Sequence, residues 1–501
     1  MRARGVLLES IPRAAVFAAA AILTTLLIIG PAPPAKALPS YARQTGQPCG
    51  TCHTDFAGLT PYGRLFKIQG YTAGGGPYRT TLFPDGSTGR VYVPPLLAKS
   101  LATENSAGPP SVSADEKPYV PPLAMMAIVG YTNTQAPIPP PSAPYNPNNN
   151  VVLSPVSFFY GGAITDRIGA FQQVTWNAPP AGGFGTDPFG AHTWTWDNTD
   201  VRYADSMRFG SFDVTYGITA NNNPTVQDPW NTTPAWAFPY AASTLGNGFG
   251  PTTILDGAFA AHVASVGAYA FIDNLLYLEA TVYTTLSPNA QNSLGTDPFD
   301  APGLFDAAPY WRMAFEPHWG NHWLEVGTFG MAANVHPWMA AGTAVTSTFP
   351  QTDNYTDIGF DTQYQYQGEN YWITLRGSYI HENQNLNASF ANGLSFNPNN
   401  ILNEARAYAS LAYGNNNRVV LTGQYFSTWG TPDALLYGGS PNTNGWIAEI
   451  AYIPFISSQA PGWPWFNMRL GLQYTAYTEF NGTNVGASAN NTLFLYAWFA
   501  M

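Results

Sequence analysis

The feature that most limits how this chain folds is a unit of about ten residues that recurs from Leu123 to Met501. In each unit apolar and polar positions alternate, and Gly, Asn, Pro or Asp bounds it. A period of two puts successive side chains on opposite faces of an extended strand. In one such unit Tyr371, Ile373, Leu375, Gly377 and Tyr379 share one face, against Thr374, Arg376 and Ser378. Val419, Leu421, Gly423 and Tyr425 oppose Thr422 and Gln424 in the same way. Ile358, Phe360, Thr362 and Tyr364 alternate with Asp357, Gly359, Asp361 and Gln363, and Ala405, Ala407, Ala409 and Leu411 with Arg406, Tyr408 and Ser410. Strands of this kind suit a watery lumen on one side and lipid on the other. A soluble β-sandwich strand alternates identically, so a single strand does not separate the two.

The sum of the strands says more. About sixteen units are expected, near 123–134, 151–163, 168–177, 191–203, 207–218, 255–271, 275–285, 309–316, 322–333, 355–366, 370–381, 403–413, 417–427, 444–454, 466–477 and 491–501. The number is even, and short connections (Asp166-Arg167, Asp273-Asn274, Gly368-Glu369) alternate with long ones (Gln135 to Asn150, Ala220 to Ile254, Ser287 to Ala308). Outer-membrane barrels follow this rule, with short periplasmic turns and long extracellular loops, which places both termini on the periplasmic side. Charged residues make up only 10% of the chain and aromatics 15%. Soluble domains carry about a quarter charged residues, so a β-rich membrane protein is favoured over a secreted β-solenoid. Past the first thirty residues no run is apolar for long enough to be a spanning helix. The expected class is all-β: an antiparallel outer-membrane barrel of about sixteen strands over 123–501, with lipid as its surroundings. A net charge of −11 without a basic cluster argues against nucleic-acid partners.

Residues 1–37 read as an export signal. Arg2, Arg4 and Arg13 precede an apolar run from Ala14 to Ile29, and Ala35-Lys36-Ala37 fits a small-x-small cleavage site. The competing reading, an uncleaved anchor helix, is opposed by Gly30 and the prolines that follow it.

Cys49-Gly50-Thr51-Cys52-His53 then carries chemistry. Two thiols three positions apart can each add to a vinyl group of one porphyrin, and the adjacent imidazole is placed to ligate the iron. A zinc site wants four N or S ligands, yet the chain has only these two cysteines. A thioredoxin-like pair wants a βαβ setting that the flanks lack. A disulfide is the remaining bland alternative. The expected cofactor is therefore one covalent haem c, held by Cys49 and Cys52 with His53 as proximal ligand, in a segment spanning 38–72.

Downstream, Thr60 suits an N-cap, Pro61 the first helical position and Gly70 the C-terminal cap of a short helix. Its Tyr62, Leu65, Phe66 and Ile68 form an apolar side suited to covering a porphyrin. Arg64 and Lys67 have two open readings, as haem-propionate contacts or as a solvated helix face. Residues 73–122, broken by Gly74-Gly75-Gly76-Pro77 and three Pro-Pro pairs, read as a linker or plug. No histidine occurs between His53 and His192, which leaves Met, Lys or water as sixth ligand. Met126 shares the face of Ile128, Gly130 and Thr132, the less lipid-like side of the first strand, so it is the candidate distal ligand; a packing methionine is the alternative.

Leu38-Pro39-Ser40-Tyr41-Ala42-Arg43-Gln44-Thr45-Gly46, the haem motif, Leu59-Thr60-Pro61-Tyr62-Gly63-Arg64, Phe66-Lys67 and Gly70-Tyr71-Thr72 together resemble the outer-membrane monohaem cytochrome–porin fusions of iron-oxidising bacteria. The motif match covers about thirty-five residues; beyond it the resemblance is one of architecture. It implies an oxidoreductase that takes electrons from extracellular Fe(II) and passes them to a periplasmic cytochrome c or cupredoxin. Composition and spacing by themselves name no donor. A different donor or acceptor (a mineral or an electrode) and a transport porin with a structural haem stay open, as does a soluble cytochrome with an adhesive β domain.

A bilayer core about 25–30 Å thick is much wider than one macrocycle. The resemblance therefore implies that the haem segment enters the lumen from the periplasm, near enough to the outer surface to receive an electron. Polar-face candidates to hold it are Glu279, Arg312, Glu325, Arg376, Arg406, Glu449 and Arg469, for which pairing within the lumen is the plainer role.

Overall fold

The computed structural model describes residues 39–55, 57–72, 79–82, 88–91, 122–137, 145–178, 194–298, 301–337 and 352–501. The export signal expected at 1–37 lies outside the described residues. So does most of the 73–122 linker, of which an antiparallel pair, Arg79–Leu82 with Thr88–Val91, is described.

Sixteen long antiparallel strands form the sheet. They are β1 Leu123–Thr134, β2 Asn150–Ala163, β3 Ile168–Trp176, β4 Trp194–Phe209, β5 Phe212–Asn221, β6 Val263–Ile272, β7 Leu276–Thr285 and β8 Ala308–Phe315. The second half comprises β9 His322–His336, β10 Asp353–Gln367, β11 Tyr371–Asn385, β12 Asn399–Tyr413, β13 Arg418–Gly430, β14 Thr443–Ile453, β15 Asn467–Glu479 and β16 Thr492–Ala500. Each pairs with its chain neighbour, and β16 pairs with β1 (Ala500 opposite Met126, Thr492 opposite Thr134), so the ladder closes. Closure leaves no edge of unpaired backbone groups in hydrocarbon, which is why only barrels among sheets span a membrane.

Alternation sorts the faces as expected. Val151, Leu153, Val266, Val282, Phe360, Leu375, Leu421 and Leu472 point outward and are exposed, while Thr374, Asp357, Asp361, Gln363, Thr422 and Gln424 are buried inside. The tryptophans near the strand ends divide between the two faces. Trp319 and Trp465 are exposed near the short turns, but Trp323 and Trp372 turn inward and pack on each other 5.9 Å apart.

Two boundaries depart from the sequence reading. The turn expected between 203 and 207 lies at Gly210-Ser211, because Asp205 and Ser206 stay in the β4–β5 ladder and Gly210 supplies the positive φ (62°). The strand expected from 255 starts at Val263; Ile254–Ala258 form a distorted helical turn.

That turn belongs to the largest correction. The connection after β5, residues 222–262, was expected to be an extracellular loop up to Ile254, but it folds into the lumen. Thr225, Val226, Gln227, Asp228, Trp230, Thr233 and Phe259 are all fully buried. Barrel-wall groups hold it: Arg312 pairs with Asp228 (3.1 Å), Glu382 accepts from the Ile254 amide (2.6 Å), Asp357 from Leu255 (3.1 Å) and Glu404 from Thr253. Most of the seven polar candidates serve this lumen loop. Arg312 also pairs with Glu325 and Asp361, Arg406 with Asp256 and Glu404, Glu279 accepts from Gln227, and Arg376 donates to the Tyr240 hydroxyl (2.8 Å). Arg469 alone of the seven contacts the haem-motif segment directly, through Asp55 (3.3 Å), while also pairing with Glu449.

Candidate functional site

Residues 39–72 sit inside the barrel at the end where the turns are short. Helix α1 (Pro39–Thr45) lies against β2 and β3. Its Tyr41 hydroxyl donates to the Ala170 carbonyl (3.0 Å), and Gln44 donates to Gly161 (2.8 Å) and accepts from the Ala163 amide (3.1 Å). Glycine lets this happen: a Cβ at Gly162 would stand 2.3 Å from the Gln44 amide.

The motif itself is one helical turn, α2 (Cys49–Cys52). The Gly50 amide donates to Ile456 of the β14–β15 turn (2.9 Å). His53 follows in extended conformation, its amide returned to Cys49 (2.9 Å). The next helix, α3 (Pro61–Ile68), has the expected start. Thr60 caps it, its hydroxyl accepting from the Gly63 amide (3.2 Å), and Gly70 ends it with φ 69°. Gly63 is required by close approach, since a Cβ there would stand 2.2 Å from the Cys52 carbonyl oxygen.

Between these pieces and the wall lies a cavity of about 360 Å³, in the range of roughly 300–1,000 Å³ usual for cofactor sites. Cys49, Cys52 and His53 line one side. Met126, Phe159, Phe171 and Trp498 come from the barrel, Phe66 from α3, and Trp236 and Tyr240 from the lumen loop. The donor set fits a covalently held haem. Cys49 and Cys52 are not joined by a disulfide. Among the described residues no group of three or more His, Cys, Asp or Glu could hold a metal ion. Burial, with the neighbouring Cys49, pushes the Cys52 thiol up to about 12, the opposite of the lowered pKa of a redox-active thiolate pair.

His53 fits as ligand. Burial lowers its pKa, against the raising influence of Asp55, so the ring is held in the neutral form that binds metal. Its Nδ1 is buried and makes no hydrogen bond of normal geometry.

The other expected site residues divide. Met126 lies on the lumen face at the cavity wall, packed with both the Cys49 and the Phe66 clusters. Met125 borders the cavity as well. Lys67 is at the wall, but its ammonium donates to the carbonyls of Val226 and Asp228 (2.7 Å each) and to Asn231 (3.4 Å). Burial, reinforced by Arg202, pushes its pKa down to about 7. Arg64 is a correction to both of its sequence readings: it is buried away from the cavity, with Glu316 and Gln365 as partners. Leu65 and Ile68 likewise turn from the cavity to pack on Trp230, Tyr269 and Tyr277.

Three residues that the sequence reading did not single out matter here. Arg418, the first residue of β13, donates to the carbonyls of His53 (2.8 Å) and Thr54. Asp200 accepts from the Tyr71 hydroxyl (2.6 Å), and Arg202 donates to the Lys67 carbonyl (3.3 Å). Asp200 and Arg202 pair with each other on β4 (2.8 Å), but no spacing in the sequence links any of the three to its partner well over a hundred positions away.

Comparison with solved structures finds similar barrels. OmpT of Vibrio cholerae matches with a TM-score of 0.39 at 11% identity, over 76% of this chain and 96% of that one. OmpF of Salmonella typhi, solved with daunomycin, gives 0.41 at 11% over 76% and 97%. An anion-selective porin from Comamonas acidovorans gives 0.40 at 11% over 75% and 98%. No protein-family model matches the chain, and no curated protein does. The sixteen-stranded closure rests on the strand pairing and not on these likenesses. Fold and site together define a closed sixteen-stranded barrel with an apolar outer face and the Cys49–His53 segment lodged in its lumen.

Proposed function

We propose that the protein is an outer-membrane electron conduit that oxidises extracellular Fe(II) at a single c-type haem and passes the electron to a periplasmic cytochrome c or cupredoxin. The observation that carries the reading is the shared cavity: both motif thiols and the motif imidazole face one apolar space inside a closed barrel. Cys49 and Cys52 would hold the haem, His53 would ligate its iron, and Met126, at the wall of the same cavity, would supply a thioether. A haem so held supplies one-electron chemistry. Fe(II) gives up one electron and becomes Fe(III), and the periplasmic acceptor receives it. The donor comes from the resemblance to the cytochrome–porin fusions.

The position of the cavity refines the reading. Its barrel residues lie close to the short-turn ends of their strands, at the periplasmic side by the barrel rule. From Met126 to the outer end of β1 at Thr134 is eight residues, about 26 Å along a strand and roughly 20 Å along the membrane normal at the usual tilt. The site is thus nearer the acceptor than the donor. The lumen loop fills the space beyond it, which supports a conduit over a solute porin.

The test is stopped-flow mixing of purified, detergent-solubilised protein with Fe(II). Rapid appearance of the reduced haem spectrum is expected; a haem that stays oxidised under excess Fe(II), but is reduced from an electrode, removes iron as donor. The distal ligand is tested separately. Met126→Ala should shift the haem spectrum and lower the midpoint potential, since thioether ligation raises it, whereas Met125→Ala should leave both unchanged. An unaltered spectrum and potential in Met126→Ala assigns the residue to packing alone.

A further inference from the structure

The haem motif is clamped by the barrel through one buried cation. Arg418 is 4% exposed, in the periplasmic rim at the start of β13. Its Nη1 donates to the His53 carbonyl (2.8 Å) and to that of Thr54, and its Nε to the Gly414 carbonyl (3.0 Å). A Cβ at Gly50 would stand 3.4 Å from its Nη2, so the guanidinium also lies against the turn between the two cysteines. Among the described residues no carboxylate forms an ion pair with it. The neighbouring acid, Asp55, is held instead by Arg469 and the Gly58 amide. The hydrogen bonds of Arg418 go to backbone carbonyl oxygens, and Asp55 acts on it electrostatically without pairing directly, in a place where little water screens either charge.

We propose that Arg418 is a positioning residue for the ligating histidine, and that its positive charge raises the midpoint potential of the haem. This rests on the proposed haem site. Two consequences follow from the geometry. The fork fixes the carbonyls of two successive residues, and with them the direction in which the His53 side chain leaves the backbone. The positive charge disfavours the further positive charge that oxidised iron carries relative to reduced iron, so electron acceptance is favoured. Charge near the cofactor and orientation of its ligand are the protein's ordinary levers on such a potential. Arg418 belongs to the wall, so the barrel is part of the redox site and not only its container.

The test is an optical redox titration of the full-length, haem-loaded protein in detergent, with covalent haem per polypeptide measured alongside. Arg418→Gln and Arg418→Met should each shift the equilibrium about tenfold toward oxidised haem, a fall of about 59 mV for one electron. Arg418→Lys, which keeps the charge and loses the fork, should stay within about threefold of the native equilibrium. A native midpoint in a fully loaded Arg418→Gln protein overturns the proposal, as does an Arg418→Lys midpoint that falls as far as the uncharged variants. If the uncharged variants lose haem while Arg418→Lys stays loaded at the native midpoint, a cation at this point is required and the proposal stands. If all three lose haem, Arg418 serves folding alone and the proposal fails. Absence of covalent haem from the native protein would be a failure of the proposed function, visible before any variant is made.

Discussion

On the conduit reading, replacing Cys49 and Cys52 together with alanine should yield a chain that still inserts as a heat-modifiable barrel, carries no covalent pigment, and does not oxidise Fe(II) in whole cells. The two halves of this expectation have separate causes. Barrel closure runs through sixteen strand pairings, none of which involves residues 39–72. Cys49 packs with Trp323, Trp372, Val420 and Ile453, so its truncation costs packing at the lumen floor but leaves the ladder untouched. The thiols, in contrast, have no substitute: no other cysteine exists in the chain. His53→Ala should lose axial ligation while the thioether links remain possible. Staining of gels for covalent haem and a whole-cell Fe(II) oxidation assay measure both effects. Undiminished iron oxidation by the double-alanine protein would end the conduit reading.

Arg312→Ala should open the lumen. Its guanidinium lies between Asp228 (3.1 Å), Glu325 (3.3 Å) and Asp361 (2.7 Å), all with side chains at most 1% exposed. Removing the cation leaves buried carboxylates uncompensated, a loss of about 3–5 kcal/mol for breaking a buried pair. Asp228 is also the organiser of the lumen loop. Its carboxylate accepts from the amides of Trp230, Thr232 and Thr233 and from the Thr233 hydroxyl (2.8 Å). The damage should therefore appear as release of the loop, with ion conductance in planar bilayers where the native protein shows little, and a lower temperature for loss of the compact gel band. Native-like conductance with an unchanged transition would show that the other loop anchors suffice.

What was legible beforehand was what depends on near neighbours. A strand's two faces are set by a period of two, and the α3 ends by Thr60, Pro61 and Gly70, so these were readable residue by residue. The thiol pair and imidazole at Cys49, Cys52 and His53 are likewise a local constellation. What was not legible depends on residues far apart in the chain. Leu255 and Phe259 are apolar and lie next to a real strand, so they read as its beginning; they are buried because the lumen loop folds back on the wall. Arg64 sits on a helix beside the motif, which suggested a propionate. Glu316 and Gln365, which bind it, are on the far side of the barrel in sequence. Arg418 fell outside the sequence reading for the same reason.

Glycine contacts around the motif set the order of manufacture. Gly63 presses on the Cys52 carbonyl, Gly50 on Arg418, and Gly169 of the wall would meet the Gly70 carbonyl at 2.2 Å if it bore a side chain. With Cys49 7% exposed behind that wall, a ligation enzyme cannot reach both thiols in the finished molecule. On the conduit reading the pigment must be joined to a still-unfolded polypeptide in the periplasm, and insertion into the bilayer then traps it.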